Sequence, residues 1–198
     1  MALISPDDAF NILGPILPHL RDSHTEAWDI YQRHISPHMP LATIRGKAGT
    51  INELVIERVR QHLPDMPSVV PRDNVCGGRF LLEVDRQVIV YFKKVTASFC
   101  TTNNPTENSE TFDTQSAIEG FPAWPRVVAT YALSEFGTSM QGPYLAFLIG
   151  KECQWWRDLN GGGGTGILPF PTPDKQKPDD DEGRLPEIDI DEIDLGGD

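Results

Sequence analysis

The sequence predicts an α+β fold, with N-terminal helices packed on an antiparallel sheet of about four strands and a disordered acidic tail at the end. Three observations predict this organisation. Helical periodicity and capping residues dominate residues 1–63, strand-like alternation dominates from Arg79 onward, and glycine, proline and acids replace apolar residues after residue 160. Because 39% of the 198 residues are hydrophobic, the chain can bury one core of ordinary size.

Three N-terminal helices are predicted from their start and stop signals. Ser5 precedes Pro6 and two aspartates, which is a typical helix start, and Gly14-Pro15 ends that helix. Two further starts have the spacing of a capping box, in which Ser or Thr is followed three residues later by Glu. They predict helices from Ser23 to about Ile35 and from Thr50 to about Leu63.

The periodicity changes to that of strands after residue 78. β-branched and aromatic residues are concentrated in two runs joined at Asp85-Arg86, which predicts a hairpin. Ser109–Ile118 is predicted to form one short helix. Four strands are predicted in all, at Arg79–Val84, Gln87–Val95, Arg126–Leu133 and Tyr144–Ile149.

The charge of the chain is unevenly distributed. The chain has 29 acidic and 17 basic residues, for a net charge of −12. Residues 161–198 contain 11 acids and 3 bases, so they carry −8, whereas residues 1–160 contain 18 acids and 14 bases and carry −4. We therefore predict one domain over 1–160, with a helical arm at 1–45 and a helix plus sheet at 50–160. The Gly/Pro-rich acidic segment 161–198 is predicted to be disordered.

The acidic tail contains an apolar pattern of its own. Ile188, Ile190 and Ile193 alternate with acids, which suits addition of an extended strand to the sheet edge of a partner. The alternative is a charged entropic bristle that keeps the protein soluble. Both interpretations remain open from the sequence.

The sequence carries no sign of membrane insertion or export. It has no apolar run of the roughly 18 residues that a membrane span needs, and its first ten residues lack a basic residue and a signal-peptide core. Cys76, Cys100 and Cys153 are few, widely spaced and odd in number, which argues against a disulfide framework or a metal cluster. These features predict a cytoplasmic protein.

The sequence matches no phosphate-loop, zinc-protease, nucleophile-elbow or dinucleotide motif. His34 and His38 have helical spacing for a metal, but Pro37 interrupts that helix, so no metal site is expected. One enzymatic alternative is a nuclease that holds Mg²⁺ with carboxylates beside lysines. Its candidate catalytic residues are Glu53, Glu83, Asp85, Lys93 and Lys94, although Tyr91 and Phe92 stand where such an enzyme has a metal-ligating Glu.

Two further groups of residues are candidates for binding. Lys93 and Lys94, together with Arg79 and Arg86 across the predicted hairpin, form a positive spot that could receive an anion, namely nucleic-acid phosphate, an acidic partner or the tail of the chain itself. The alternative is that the lysines protect an edge strand from aggregation. The pair Trp155 and Trp156 is a candidate protein-docking site, since tryptophan is enriched among residues that dominate binding energy.

Part of the chain resembles a group of bacterial proteins. The residues that carry the resemblance are Val90–Val95, Asn104-Pro105-Thr106, Gln115 and the segment Tyr131–Gly137, within Thr50–Trp156. They look like uncharacterised bacterial proteins associated with helix-turn-helix or ImmA/IrrE-type regulators in toxin–antitoxin or phage-defence gene pairs. The resemblance implies a bacterial cytosolic setting and a partner protein, for example a regulator encoded by a neighbouring gene.

The sequence therefore favours a protein that acts through a protein partner, as one component of a toxin–antitoxin or phage-defence pair, with the acidic tail as a docking or autoinhibitory segment. An enzyme acting on nucleic acid is the alternative, and Mg²⁺ would be its cofactor; otherwise no cofactor is expected. An acidic mimic of DNA ranks below both, because most of the acidic excess lies in the tail rather than on the folded part.

Overall fold

A computed structural model describes residues 3–39, 42–63, 66–75, 78–101, 107–118 and 122–161 of the chain. The chain divides into two units, Met1–Leu168 and Pro169–Asp198, and the second lies outside the described residues. The predictions for the acidic tail, including Ile188, Ile190 and Ile193, therefore also lie outside them, as does Cys76.

Four α-helices are described. They are α1 (Pro6–Leu13), α2 (Leu17–Ile30), α3 (Ile44–His62) and α4 (Glu107–Asp113). The helical path of α2 continues through a π-helical turn at Tyr31–Ile35 and a 3₁₀ turn at Ser36–His38. The predicted start of α1 is confirmed, because the Ser5 hydroxyl accepts a hydrogen bond from the backbone N–H of Asp8 at 3.1 Å.

The two predicted capping boxes are wrong, because α2 and α3 each begin earlier in the chain. Helix α2 begins at Leu17, so that Ser23 is a fully buried residue inside it. The N-cap of α3 is Thr43, whose hydroxyl accepts from the N–H of Gly46 at 3.1 Å. Thr50 lies inside α3, and its hydroxyl donates back to the carbonyl of Gly46.

The strands form one six-stranded sheet in the order in which they occur along the chain. Neighbouring strands are antiparallel except for β3 and β4, which are parallel. The α+β class is thus confirmed, whereas the predicted antiparallel sheet of about four strands is wrong in both count and direction. The strands are β1 (Val69–Val75), β2 (Arg79–Val84), β3 (Val88–Val95), β4 (Arg126–Leu133), β5 (Met140–Ile149) and β6 (Glu152–Asp158).

The sheet consists of two antiparallel meanders, β1–β3 and β4–β6, which meet where β3 pairs with β4. The chain between them, residues 96–125, includes α4. Because the pairing is parallel, the carboxyl ends of β3 and β4 lie at the same edge of the sheet, with Val95 opposite Ala132.

The sheet is covered on both faces. Val90 and Phe92 belong to the main hydrophobic core together with α3 residues such as Ile51 and Val55. The alternate residues of β3 point to the other face, where the Tyr91 ring meets the ring of Phe112 from α4 edge-on at 5.1 Å. Burial on both faces explains why β3 is continuously apolar from Val88 to Phe92.

Among the described residues, no helix has the length and apolar character needed to cross a lipid bilayer.

Candidate functional site

A groove of about 920 Å³ lies beside the carboxyl end of β3 and the first half of α3. Four cationic side chains line it, and we call it the basic groove. Its described lining residues are Ile44, Arg45, Ala48, Gly49, Asn52, Phe92, Lys93, Lys94, Thr101 and Lys151.

Helix α3 supplies one wall of the groove. Two long-range hydrogen bonds hold the helix against β4 and the β4–β5 turn, and one of them reaches the backbone of the groove residue Ala48. The Tyr131 hydroxyl on β4 donates to the backbone carbonyl of Ala48 at 2.9 Å, and the Lys47 amine donates to the carbonyl of Phe136 at 2.9 Å. Arg45 lies in the first turn of α3, where the helix dipole adds positive potential to that of its guanidinium.

Lys93 and Lys94 lie near the carboxyl end of β3. Consecutive strand residues point to opposite faces, so Lys93 lies on the α4 face and Lys94 on the α3 face, and both border the groove at the end of the strand. Lys151 reaches the groove from the turn between β5 and β6. The groove thus brings together charged residues that are distant in the sequence, since Arg45 and Lys151 are more than a hundred positions apart.

Partial burial changes the acid–base behaviour of Lys93. Its desolvation is the largest effect and lowers the pKa of the Lys93 amine to about 8. Asp113 raises this pKa and Arg79 lowers it, so the two neighbouring charges act in opposite directions. The Lys93 amine is therefore mostly charged near neutral pH and loses that charge within the following two pH units.

Within the described part of the chain, none of the four groove cations forms an ion pair with a carboxylate. The described residues of the lining include no acid. Four cations that share one groove repel one another, and this repulsion falls when an anion enters.

The groove lies beside the carboxyl end of β3, the strand that pairs in parallel with β4. No protein-family model, curated protein or solved structure matches this chain. The chemistry of the groove is therefore assigned from its own residues. Ammonium and guanidinium groups suit phosphate or carboxylate groups, to which they give charge-assisted hydrogen bonds.

The four cations of the predicted positive spot do not all line the groove. Lys93 and Lys94 lie in the groove, but Arg79 packs over the ring of Phe112, with its guanidinium carbon 4.6 Å from the ring centroid. The Arg79 guanidinium also lies 4.0 Å from the Asp113 carboxylate. Arg86 is exposed in the turn between β2 and β3, where it lines a different cleft.

Trp155 and Trp156 are both partly buried and point to opposite faces of the sheet. The Trp155 indole N–H donates to the carbonyl of Ile4 at 2.9 Å, which ties β6 to the N-terminal segment. The Trp156 ring stacks on Phe99 with a centroid distance of 5.0 Å. The pair therefore does not present one continuous aromatic surface.

The residues of the nuclease alternative are not gathered into one site. Glu53 is exposed on α3, and Asp85 is exposed in the turn that begins β3, at the end opposite Lys93. The buried Glu83 carboxylate accepts two hydrogen bonds from Arg72, at 3.1 and 3.2 Å. Among the residues that the structure describes, no three His, Cys, Asp or Glu side chains come together as metal ligands.

Sequence reasoning identified Lys93 and Lys94 but missed Arg45, Asn52 and Lys151. The missed residues lie far from the lysines in the sequence, and the packing of α3 against β3 and the β5–β6 turn bring them together. A signal was present for one of them. Arg45 follows Thr43, which has the side chain of a good N-cap, but the two glycines that follow argue against a helix.

Proposed function

We propose that the folded part of this protein binds a small or local anionic group, a phosphate or a carboxylate, in the basic groove. The observation that carries the proposal is the convergence of Arg45, Lys93, Lys94 and Lys151 on a groove whose described lining contains no acid. The surrounding chain has an excess of acids, so this clustering of cations is a local exception to the overall charge.

Anion binding gives a physical reason for the position of Lys93. The burial that lowers the pKa of this amine also disfavours its charged form. An anion within hydrogen-bonding distance favours the charged form again, so ligand binding and retention of the Lys93 proton reinforce each other.

Isothermal titration calorimetry of the full-length protein with inorganic phosphate tests the proposal at low ionic strength. We expect Lys93→Gln with Lys94→Gln to weaken phosphate binding by at least about tenfold, since charge-assisted hydrogen bonds contribute more than 1 kcal/mol each. Arg33→Gln with Arg86→Gln is the matched control, because it also removes two exposed positive charges, from residues that do not line the groove. If the control weakens phosphate binding as much as Lys93→Gln with Lys94→Gln does, the effect comes from net charge and the proposal is wrong.

A second candidate is the binding of a partner protein that the sequence suggested, including a toxin–antitoxin or phage-defence partner. One observation favours a docking surface: the β4–β5 turn exposes 73% of Phe136, and the Lys47 amine donates to the carbonyl of that residue. An exposed aromatic side chain on a backbone held by a hydrogen bond suits a partner interface.

Affinity capture from host cells tests this second candidate. Full-length protein, the 1–160 truncation and Phe136→Ala are compared, with both protein and nucleic acid identified. A stoichiometric partner that is lost on truncation assigns docking to the tail, and one lost with Phe136→Ala assigns it to the β4–β5 turn. If all three forms retain the same partners, neither segment contributes to docking.

A further inference from the structure

We propose that the ligand of the basic groove is a small phosphate ester with the size and polarity of a mononucleotide, and not a nucleic-acid strand. This inference rests on the proposed function and narrows it to one chemical class. Three observations support it: the volume of the groove, the net charge of the rest of the chain, and the uncharged part of the lining.

The volume suits a small molecule. At about 920 Å³ the groove falls within the range of roughly 300–1,000 Å³ that is usual for small-molecule and cofactor sites. The groove has α3 on one side and the end of β3 on the other.

The charge outside the groove disfavours a polymer. Residues 1–160 contain 18 acids and 14 bases, so removing the four groove cations leaves 18 acids against 10 bases. Residues 1–160 therefore carry no excess of positive charge outside the groove that would hold a nucleic-acid strand longer than the groove. Proteins that bind nucleic-acid backbones instead carry a basic stripe that extends along the strand. A small anion needs only the four cations of the groove.

The uncharged lining suits an organic group attached to the phosphate. Ile44, Ala48 and Phe92 give the groove an apolar part. The Asn52 side chain also lines it, and the Asn52 Oδ1 is shielded from solvent without a hydrogen-bond partner among the described residues. An unpaired buried acceptor costs free energy. If the Asn52 amide rotates so that its oxygen faces the groove, a ligand N–H or O–H can donate to it, and this hydrogen bond adds affinity. A nucleoside combines an apolar ring face with such donors.

The test measures four probes by titration calorimetry with full-length protein: inorganic phosphate, AMP, adenosine and a short oligodeoxythymidylate. We expect AMP to bind more tightly than phosphate and adenosine, and the oligonucleotide to bind no more tightly than AMP. Asn52→Ala should weaken AMP binding by about fivefold and leave phosphate binding unchanged, because it removes a contact to the organic group only. Asn11→Ala, on the exposed face of α1, is the matched control.

The outcomes separate the ligand class from the site itself. Equal affinity for AMP and phosphate overturns the inference and leaves a simple anion site. Tighter binding of the oligonucleotide, with an affinity that falls steeply with salt, also overturns the inference and assigns the groove to nucleic acid. If none of the anions binds, the proposed function fails together with this inference.

Discussion

The buried histidine of α2 makes the stability of the fold depend on pH in a direction that can be measured. His24 is 1% exposed and lies beside the rings of Phe92 and Tyr131, whose centroids are 6.3 and 6.1 Å from its own. Its Nδ1 lies 2.7 Å from the carbonyl oxygen of Leu20. Burial lowers the pKa of His24 from 6.5 to about 4, and hydrogen bonds to the backbone of Leu20 and Ala129 oppose this shift but are smaller.

The sign of the effect follows from proton linkage. Between pH 6.5 and pH 4 the unfolded chain binds a proton at His24 and the folded protein does not, so acidification through this window stabilises the unfolded state. With these two pKa values, protonation of His24 in the unfolded chain lowers the free energy of unfolding by about 2 kcal/mol when the pH falls from 7 to 5. The full difference approaches about 3 kcal/mol near pH 4.

Urea unfolding followed by tryptophan fluorescence at pH 7 and pH 5 measures this contribution. His24→Gln cannot titrate in this range and keeps a hydrogen-bond donor, so the loss of stability on acidification should be about 2 kcal/mol smaller in this variant than in the parent protein. The exposed His34 provides the control, because His34→Gln should keep the pH dependence of the parent. An identical pH dependence in the parent and His24→Gln would refute the linkage.

Three further predictions follow from the described contacts. Because the Lys93 amine has a pKa lowered to about 8 and the protonated form binds anions, sulfate affinity in titration calorimetry should fall as the pH rises from 7 to 9, and Lys93→Arg should remove this dependence. Gln115→Ala should lower the unfolding free energy in urea by about 3 kcal/mol, because the buried Gln115 amide bonds the backbone N–H and C=O of Arg126 and the carbonyl of Leu148; a loss below about 1 kcal/mol would contradict this account. Arg72→Ala should cost roughly 1–3 kcal/mol in the same assay by leaving the Glu83 carboxylate buried and unpaired, and adding Glu83→Gln should restore part of that loss.

Local sequence patterns predicted the strands that are buried and regular. The bounds of β2 and β4 agree with prediction, because both strands are mostly apolar and contain β-branched and aromatic residues. Strand β1 was missed, since most of its residues are exposed and it contains Pro71, Arg72 and Asp73. An edge strand of this kind lacks the apolar pattern by which strands are recognised.

Features that depend on tertiary contacts were not predictable. The parallel pairing of β3 and β4 leaves no mark in the periodicity of either strand, because each is buried on both faces. The first turns of α3 contain Gly46 and Gly49, which disfavour a helix, and the bond from the Tyr131 hydroxyl to Ala48 helps to hold this part of the helix in place. The candidate site was predictable only where its residues are adjacent, at Lys93 and Lys94.

The single parallel pairing in the sheet imposes an order on folding. Within β1–β3 and within β4–β6, each strand pairs with its sequence neighbour, so both meanders close short loops and can form early. The β3–β4 pairing must close residues 96–125, which costs more chain entropy. The two halves therefore join late. Lys93 and Lys94 belong to the first half and Lys151 to the second, so the basic groove is complete only after the halves join, and a bound anion would slow their separation.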